Sequence, residues 1–275
     1  MINFPNAKIN LGLYVTEKRS DGFHNISTLF YPINLCDALE IIPNPHSRKT
    51  VTLNNSGINI EDSTDNNLCI KAFLLLKKDF PRLPNITCYL YKHIPLGAGL
   101  GGGSADGACM LKLLNETFQL QIKEQQLKDY ALLLGSDCPF FILNKPCIAS
   151  GRGELLQPVN LDLSPYFVVL IHPKIHVNTG QAFAKIRPKQ PNTPLEQIIQ
   201  QPIEDWKNLL KNDFEYSVFE EHPSIRLVKE KLYQEGALYA SMSGSGSSVY
   251  GLFKDNPGRI KFNFPEEYFV FRSKL

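Results

Sequence analysis

The chain has 275 residues, 43% of them hydrophobic and 20% charged, and a formal net charge of +2. This excludes a disordered or acidic-tail protein and leaves room for one large domain or two ordinary ones. The near-neutral balance argues against a general nucleic-acid binder, so an anionic ligand would have to meet local positive charge.

The opening, Met1-Ile2-Asn3-Phe4-Pro5-Asn6-Ala7-Lys8, lacks the basic and apolar regions of a signal peptide. Ile9, Leu11, Leu13 and Val15 then alternate with small or polar residues, which predicts a strand with one buried face. Turn chemistry at Arg19-Ser20-Asp21-Gly22 leads into a second extended segment over 24–33. Further strands are predicted over 38–42, 50–53 and 86–92. Before the last of these, Asp62-Ser63-Thr64-Asp65 offers caps for a helix carrying Leu68, Ala72, Leu75 and Leu76 on one side. Helices over 104–116 and 123–134 follow a glycine cluster. The pattern restarts after a boundary near Ser150-Gly151-Arg152-Gly153. A strand over 167–171 opens this half, and helices over 179–186, 203–211 and 223–235 follow. Strands over 237–241, 248–253 and 268–271 close it, and residues 188–194 read as an exposed proline-rich loop. Strands and helices mix without regular βαβ alternation, so the expected class is α+β, with two domains over 1–152 and 153–275.

Six cysteines are scattered without a CxxC pair, which suits buried thiols in a reducing compartment. No apolar run approaches the ~20 residues of a membrane span. A cytoplasmic protein without membrane partners is expected.

The most informative segment is Pro95-Leu96-Gly97-Ala98-Gly99-Leu100-Gly101-Gly102-Gly103-Ser104-Ala105-Asp106, between a predicted strand and a predicted helix. Glycines let the backbone approach a ligand closely, and a helix start adds unpaired N–H groups and a positive dipole end. Gly97, Gly99 and Gly102 match GxGxxG, but no strand with an acid follows about twenty residues on, as a dinucleotide fold requires. The spacing resembles a Walker loop with Gly103 in the place of its lysine. A phosphate loop without its own lysine remains. Two acid/base candidates stand out: Lys8, in Asn6-Ala7-Lys8-Ile9-Asn10-Leu11, and Asp137, a lone acid in Leu134-Gly135-Ser136-Asp137-Cys138-Pro139-Phe140. Phosphoryl transfer needs a carboxylate for the acceptor hydroxyl and a cation for developing charge.

These three segments, with Asn212-Asp213-Phe214-Glu215 and Met242-Ser243-Gly244-Ser245-Gly246-Ser247, together resemble the GHMP kinase family, from residue 5 to about residue 250. The resemblance implies an N-terminal domain resembling ribosomal protein S5 and a C-terminal ferredoxin-like domain. It implies ATP as phosphoryl donor with Mg2+, Asp137 as base and Lys8 as the charge-stabilising residue. Gly99, Gly101, Gly102, Gly103 and Ser104 would wrap the phosphates, Pro95 and Gly97 would also belong to the ATP site, and Asn67, Leu68 and Lys92 would line the adenine pocket. The segment Asp21-Gly22-Phe23-His24 resembles one that recognises a cytosine, pointing to a cytidylyl methylerythritol as small-molecule acceptor. Phe23 and Phe183 would then sandwich the base, His24 would bind its edge, and Asn10 and Asp137 would contact the substrate. Phe23 stands where relatives often carry tyrosine. The alternatives are another GHMP acceptor, homoserine or mevalonate, or an inactive nucleotide-binding regulator.

Overall fold

The computed structural model describes residues 1–60, 66–260 and 262–275, and the caps expected at Asp62 to Asp65 lie outside them. The elements of the first half are β1 (Ile2–Asn3), β2 (Asn6–Lys18), β3 (His24–Cys36), β4 (Ala38–Pro43), β5 (Val51–Gly57), α1 (Leu68–Asp79), β6 (Ile86–Lys92), α2 (Gly102–Thr117), α3 (Glu124–Leu134) and α4 (Cys138–Leu143). Next come β7 (Cys147–Ser150), β8 (Leu155–Pro158), β9 (Phe167–His172), α5 (Thr179–Ala184), α6 (Leu195–Ile198), α7 (Ile203–Leu209), α8 (Phe214–Glu221), α9 (Pro223–Gln234), β10 (Tyr239–Met242), β11 (Val249–Phe253) and β12 (Phe269–Lys274). The mixed α and β content expected from the sequence is present.

Contacts divide the described chain into two discontinuous units. One comprises Met1–Ala7, Leu35–Leu96 and Gly101–Lys145; the other comprises Lys8–Asn34, Gly97–Leu100 and Pro146–Leu275. This differs from a linear boundary at residue 152, because β7 and β8 pair across that point in a sheet that also holds β2 and β3.

The first unit is built on a sheet of order β1-β4-β6-β5, in which β5 and β6 run parallel and the other pairs antiparallel. Parallel neighbours need a crossover, and α1 lies in that connection. Cys69, Ala72, Phe73 and Leu76 of α1 are buried, as are Ala108, Leu111 and Leu114 of α2. The same β6 feeds the glycine loop, so a rigid strand leads directly into it.

The second unit holds two sheets, β2-β3-β7-β8 and the antiparallel β10-β11-β9-β12. Its apolar core joins Leu13 and Val15 of β2 to Val169 and Ile171 of β9, with Ile225, Val228 and Leu232 from α9. One expectation is corrected in this unit. Strand β2 is buried on both faces, not one, since Lys8, Asn10 and Tyr14 are buried along with Ile9, Leu11 and Val15. Polar groups are inside because a hydrogen-bonded network receives them. The lone Trp206 is buried in α7, its indole N–H on the Gln201 carbonyl and its ring edge-on to Tyr239. No described helix is long and apolar enough to cross a membrane, and all six cysteines are free.

Candidate active site

The glycine loop is divided between the units. Its first part, Gly97–Leu100, is tied into the second unit, where the Ser243 hydroxyl donates to the Gly99 carbonyl at 2.9 Å and Ser248 N–H to the Ala98 carbonyl. Gly99 has φ +77°, and a Cβ there would collide with the Ser243 carbonyl, so only glycine fits. The second part starts α2 in the first unit. Gly101 is its N-cap, in the left-handed region with φ 72°. The first helical hydrogen bond runs from Ala105 N–H to the Gly101 carbonyl. The N–H groups of Gly102, Gly103 and Ser104 therefore have no intrahelical acceptor, and they carry the positive end of a sixteen-residue helix. That is an anion-binding arrangement.

Lys92, expected at the adenine pocket, is 1% exposed. Its ammonium is turned inward, bonded to Asp37 Oδ2 and to Asp106 Oδ2, the latter at 2.7 Å. Asp37 Oδ1 accepts the N–H groups of His93 and Ile94 at 2.6 and 2.8 Å, which fixes the backbone just before the loop. Sequence reasoning did not find Asp37. It is a single acid between two strands, and only the fold brings it to Lys92. Asn67 is the N-cap of α1, its side-chain oxygen accepting Cys69 N–H at 2.8 Å, and Leu68 begins the helix. Pro95 is buried ahead of the loop.

Asp137 occupies the N-cap position of α4, half-buried, with Pro139 holding the first turn. The neighbouring Cys138 thiol is pushed up to about 12 by burial, partly offset by a hydrogen bond with Ser104. That contact joins the α4 start to the α2 start, and Phe140 and Phe141 bury the rest of the short helix. Asp137 thus projects from a well-anchored turn.

In the second unit Lys8 lies on β2, 3% exposed. Its ammonium donates to Asn10 Oδ1 at 2.6 Å and sits 4.8 Å from the centre of the Phe30 ring. Asn10 in turn donates through Nδ2 to the Thr28 hydroxyl at 2.9 Å, and Thr28 donates to the Gly12 carbonyl. The Asn10 backbone gives its N–H to Ser243 Oγ at 3.3 Å and accepts from the Tyr250 hydroxyl at 2.6 Å. Lys8 and Asn10 were legible as a polar pair; Thr28, Ser243 and Tyr250 were not. The Asn212-to-Glu215 landmark explains how the glycine turn after β10 is held. Asn212 Nδ2 donates to the carbonyls of Met242 and Gly244, both at 2.8 Å. Glu215 accepts from Met242 N–H at 2.9 Å and from Lys229 at 2.6 Å.

The aromatic residues sit in the same unit. His24 stacks on Phe183, ring centres 4.9 Å apart and 14° from parallel, and Phe183 meets Phe214 edge-on. Phe23 is 54% exposed and is faced by the Arg152 guanidinium at 4.6 Å. The structure therefore groups His24 with Phe183 and pairs Phe23 with Arg152, a residue that sequence reading noted only as part of a boundary. The loop is braced by Arg19, which bonds Asp21 and holds its carboxyl below the usual range. Asp21 Oδ1 also takes Phe23 N–H at 3.1 Å. His172 is buried against the Ser247 hydroxyl, and burial brings its imidazole down to about 4. A cleft of about 390 Å³ lined by Tyr14, Arg187, Lys189 and Lys211 contains none of the residues expected to bind ligand.

A strand, glycine loop and helix start with open N–H groups suit a phosphate-handling protein of the phosphoryl-transfer class. Comparison with known proteins gives the same class. Residues 67–145 match the GHMP kinases N terminal domain and residues 195–269 the GHMP kinases C terminal domain. A Bacteroides fragilis protein called 4-diphosphocytidyl-2-C-methyl-D-erythritol kinase is 52% identical over 275 residues, covering all of both chains. A Bacteroides thetaiotaomicron protein of the same name is 51% identical over the same span. The crystal structure of a 4-(cytidine 5'-diphospho)-2C-methyl-D-erythritol kinase matches with a TM-score of 0.79 and 31% identity, covering 92% of this chain and 90% of that one. The chain belongs to the GHMP kinase family and is an ATP-dependent small-molecule kinase.

Proposed function

We propose that the protein transfers the γ-phosphoryl group of ATP to the 2-hydroxyl of 4-diphosphocytidyl-2-C-methyl-D-erythritol, in the cytoplasm, as a step of non-mevalonate isoprenoid precursor synthesis. The observation that carries this reading is identity at about half of all positions, over the whole chain, with relatives of that name. On the fold, the finer assignment is an S5-like N-terminal domain and a ferredoxin-like C-terminal domain.

In the proposed mechanism the N–H groups of Gly102, Gly103 and Ser104 hold the phosphates, with Gly97, Gly99 and Gly101 shaping the loop. Mg2+ is assigned to the phosphates of the nucleotide, the usual way this ion is held in kinases. Among the described residues no three His, Cys, Asp or Glu side chains are arranged to hold a metal. Asp137 orients the acceptor hydroxyl and takes its proton. Carboxylates are weak bases towards alcohols, so the proton moves late and positioning supplies much of the rate. Lys8 stabilises negative charge on the acceptor oxygen, and its link to Asn10 fixes the ammonium's direction. Asn67, Leu68 and the backbone at Lys92 line the adenine site. Phe23, His24 and Phe183 receive the cytosine, with the stacked His24–Phe183 pair as the ready-made part of that surface.

The test is phosphate transfer from ATP to three acceptors in parallel: the cytidylyl compound, mevalonate and homoserine. Turnover of the cytidylyl compound alone is expected. Activity on mevalonate or homoserine and none on the cytidylyl compound would overturn the assignment.

A further inference from the structure

The buried cluster behind the phosphate loop has more carboxylates than its single ammonium balances. Lys92 bonds both Asp37 and Asp106. Asp37 completes its set with two backbone N–H donors. Asp106 does not: Lys92 is the donor on Oδ2, and Oδ1 is buried with no hydrogen-bond partner among the described residues. A carboxylate with a bare buried oxygen is far more costly than a neutral carboxyl in the same place. The cluster also sits directly behind the anion site, because Lys92 Nζ is 3.4 Å from where a side chain on Gly102 would begin. Asp106 itself lies in α2, two residues after Ser104.

We propose that Asp106 is a positioning residue that works as a protonated carboxyl, leaving Asp37 and Lys92 a balanced pair behind the phosphate-binding N–H groups. Ionisation of Asp106 would place an uncompensated negative charge there, opposing the nucleotide's phosphates.

Burial raises Asp106 to about 8, with Lys92 pulling it down and Asp37 pushing it up. Two thiols also interact with it, Cys69 on α1 and Cys109 on α2 itself, and Cys69 in turn bonds Cys88 on β6. Cys69 is raised well above the usual thiol value by its hydrogen bond with Cys88 and by burial, and burial takes Cys109 to about 12. Asp106 is thus the group in the cluster whose charge changes around pH 8. Protonated carboxyl favours the bound anion, so affinity should fall as pH rises through that value.

The proposal rests on the start of α2 being the phosphate site, and binding of Mg·ADP by the wild-type protein at pH 7 tests that reading separately. Mg·ADP affinity is then measured by calorimetry from pH 7 to pH 9.5 for the wild type and Asp106→Asn. Wild-type affinity should weaken roughly tenfold over this range. Asp106→Asn, a neutral isostere, should stay flat. At pH 8.5, titrations in two buffers of different ionisation enthalpy should show proton uptake by the wild type on binding, a readout that needs no variant. Tight binding at pH 7 with no proton uptake, or an Asp106→Asn profile that follows the wild type, would overturn the inference.

Discussion

The most informative perturbation of this architecture is Asn212→Asp, which swaps one atom in the clamp of the C-terminal glycine turn. Asn212 is 4% exposed and satisfies three backbone groups: it donates to the Met242 and Gly244 carbonyls and accepts Phe214 N–H at 3.0 Å. The substitution preserves shape and the bond from Phe214 but turns the amide donors into an oxygen that faces two carbonyl oxygens. Each buried carbonyl left without a donor costs roughly 1–3 kcal/mol, and a protonated carboxyl could restore only one of the two. The expected loss is about 3–5 kcal/mol, or on the order of 10 °C in Tm. Function should suffer beyond that, because Ser243 in the same turn holds the Gly99 carbonyl and the Asn10 N–H. The assay is urea denaturation together with kcat/KM at a temperature where the variant is fully folded. Val228→Ala, a cavity in the core of the same unit, is the stability-matched control. An unchanged urea midpoint would refute the clamp, and an activity loss no larger than that of Val228→Ala would refute its link to the site.

Other expectations concern the chemistry more directly. Lys8→Ala and Asp137→Ala should each lower kcat by roughly 10²–10⁴ while Mg·ADP still binds; near-wild-type turnover in either would remove that residue from the mechanism. Phe183→Ala should raise KM for the cytidylyl acceptor and leave KM for ATP alone, since the ring stacks on His24, and steady-state kinetics with each substrate varied decides this. Thermal stability should also depend on Asp106. Its folded-state value near 8 exceeds the unfolded 3.8, so between these values the folded state holds the extra proton and stability falls as pH rises. Melting curves from pH 5 to pH 9 should show that decline in the wild type and a shallower one in Asp106→Asn.

The segments of the candidate site stood out in the sequence because each is a compact local pattern. The glycine loop, the Lys8–Asn10 pair and Asp137 between apolar runs are each a short local pattern, and periodicity places the first two on or beside a strand or helix. What the sequence hid is long-range. Asp37, Lys92 and Asp106 form one cluster from three distant segments, and Lys92 gave no sign that its ammonium points inward. The alternation in β2 suggested a polar outer face, yet Lys8 and Asn10 are buried because Thr28, Ser243 and Tyr250 supply the polar partners. Short elements were missed for a different reason. The six residues of α4 and the four of β8 are too few to set up a period. Helix α8 has only eight residues, and Phe214, Ser217 and Val218 are the ones it buries.

The proposed reaction moves a phosphoryl group from ATP to one hydroxyl of a cytidylyl polyol. The most direct measurement follows label from [γ-32P]ATP into the acceptor and locates it by phosphorus and proton NMR of the purified product. One new phosphomonoester on the 2-hydroxyl, with the cytidine diphosphate intact, is the predicted result. Label released only as inorganic phosphate, or attached at another position, would contradict the account.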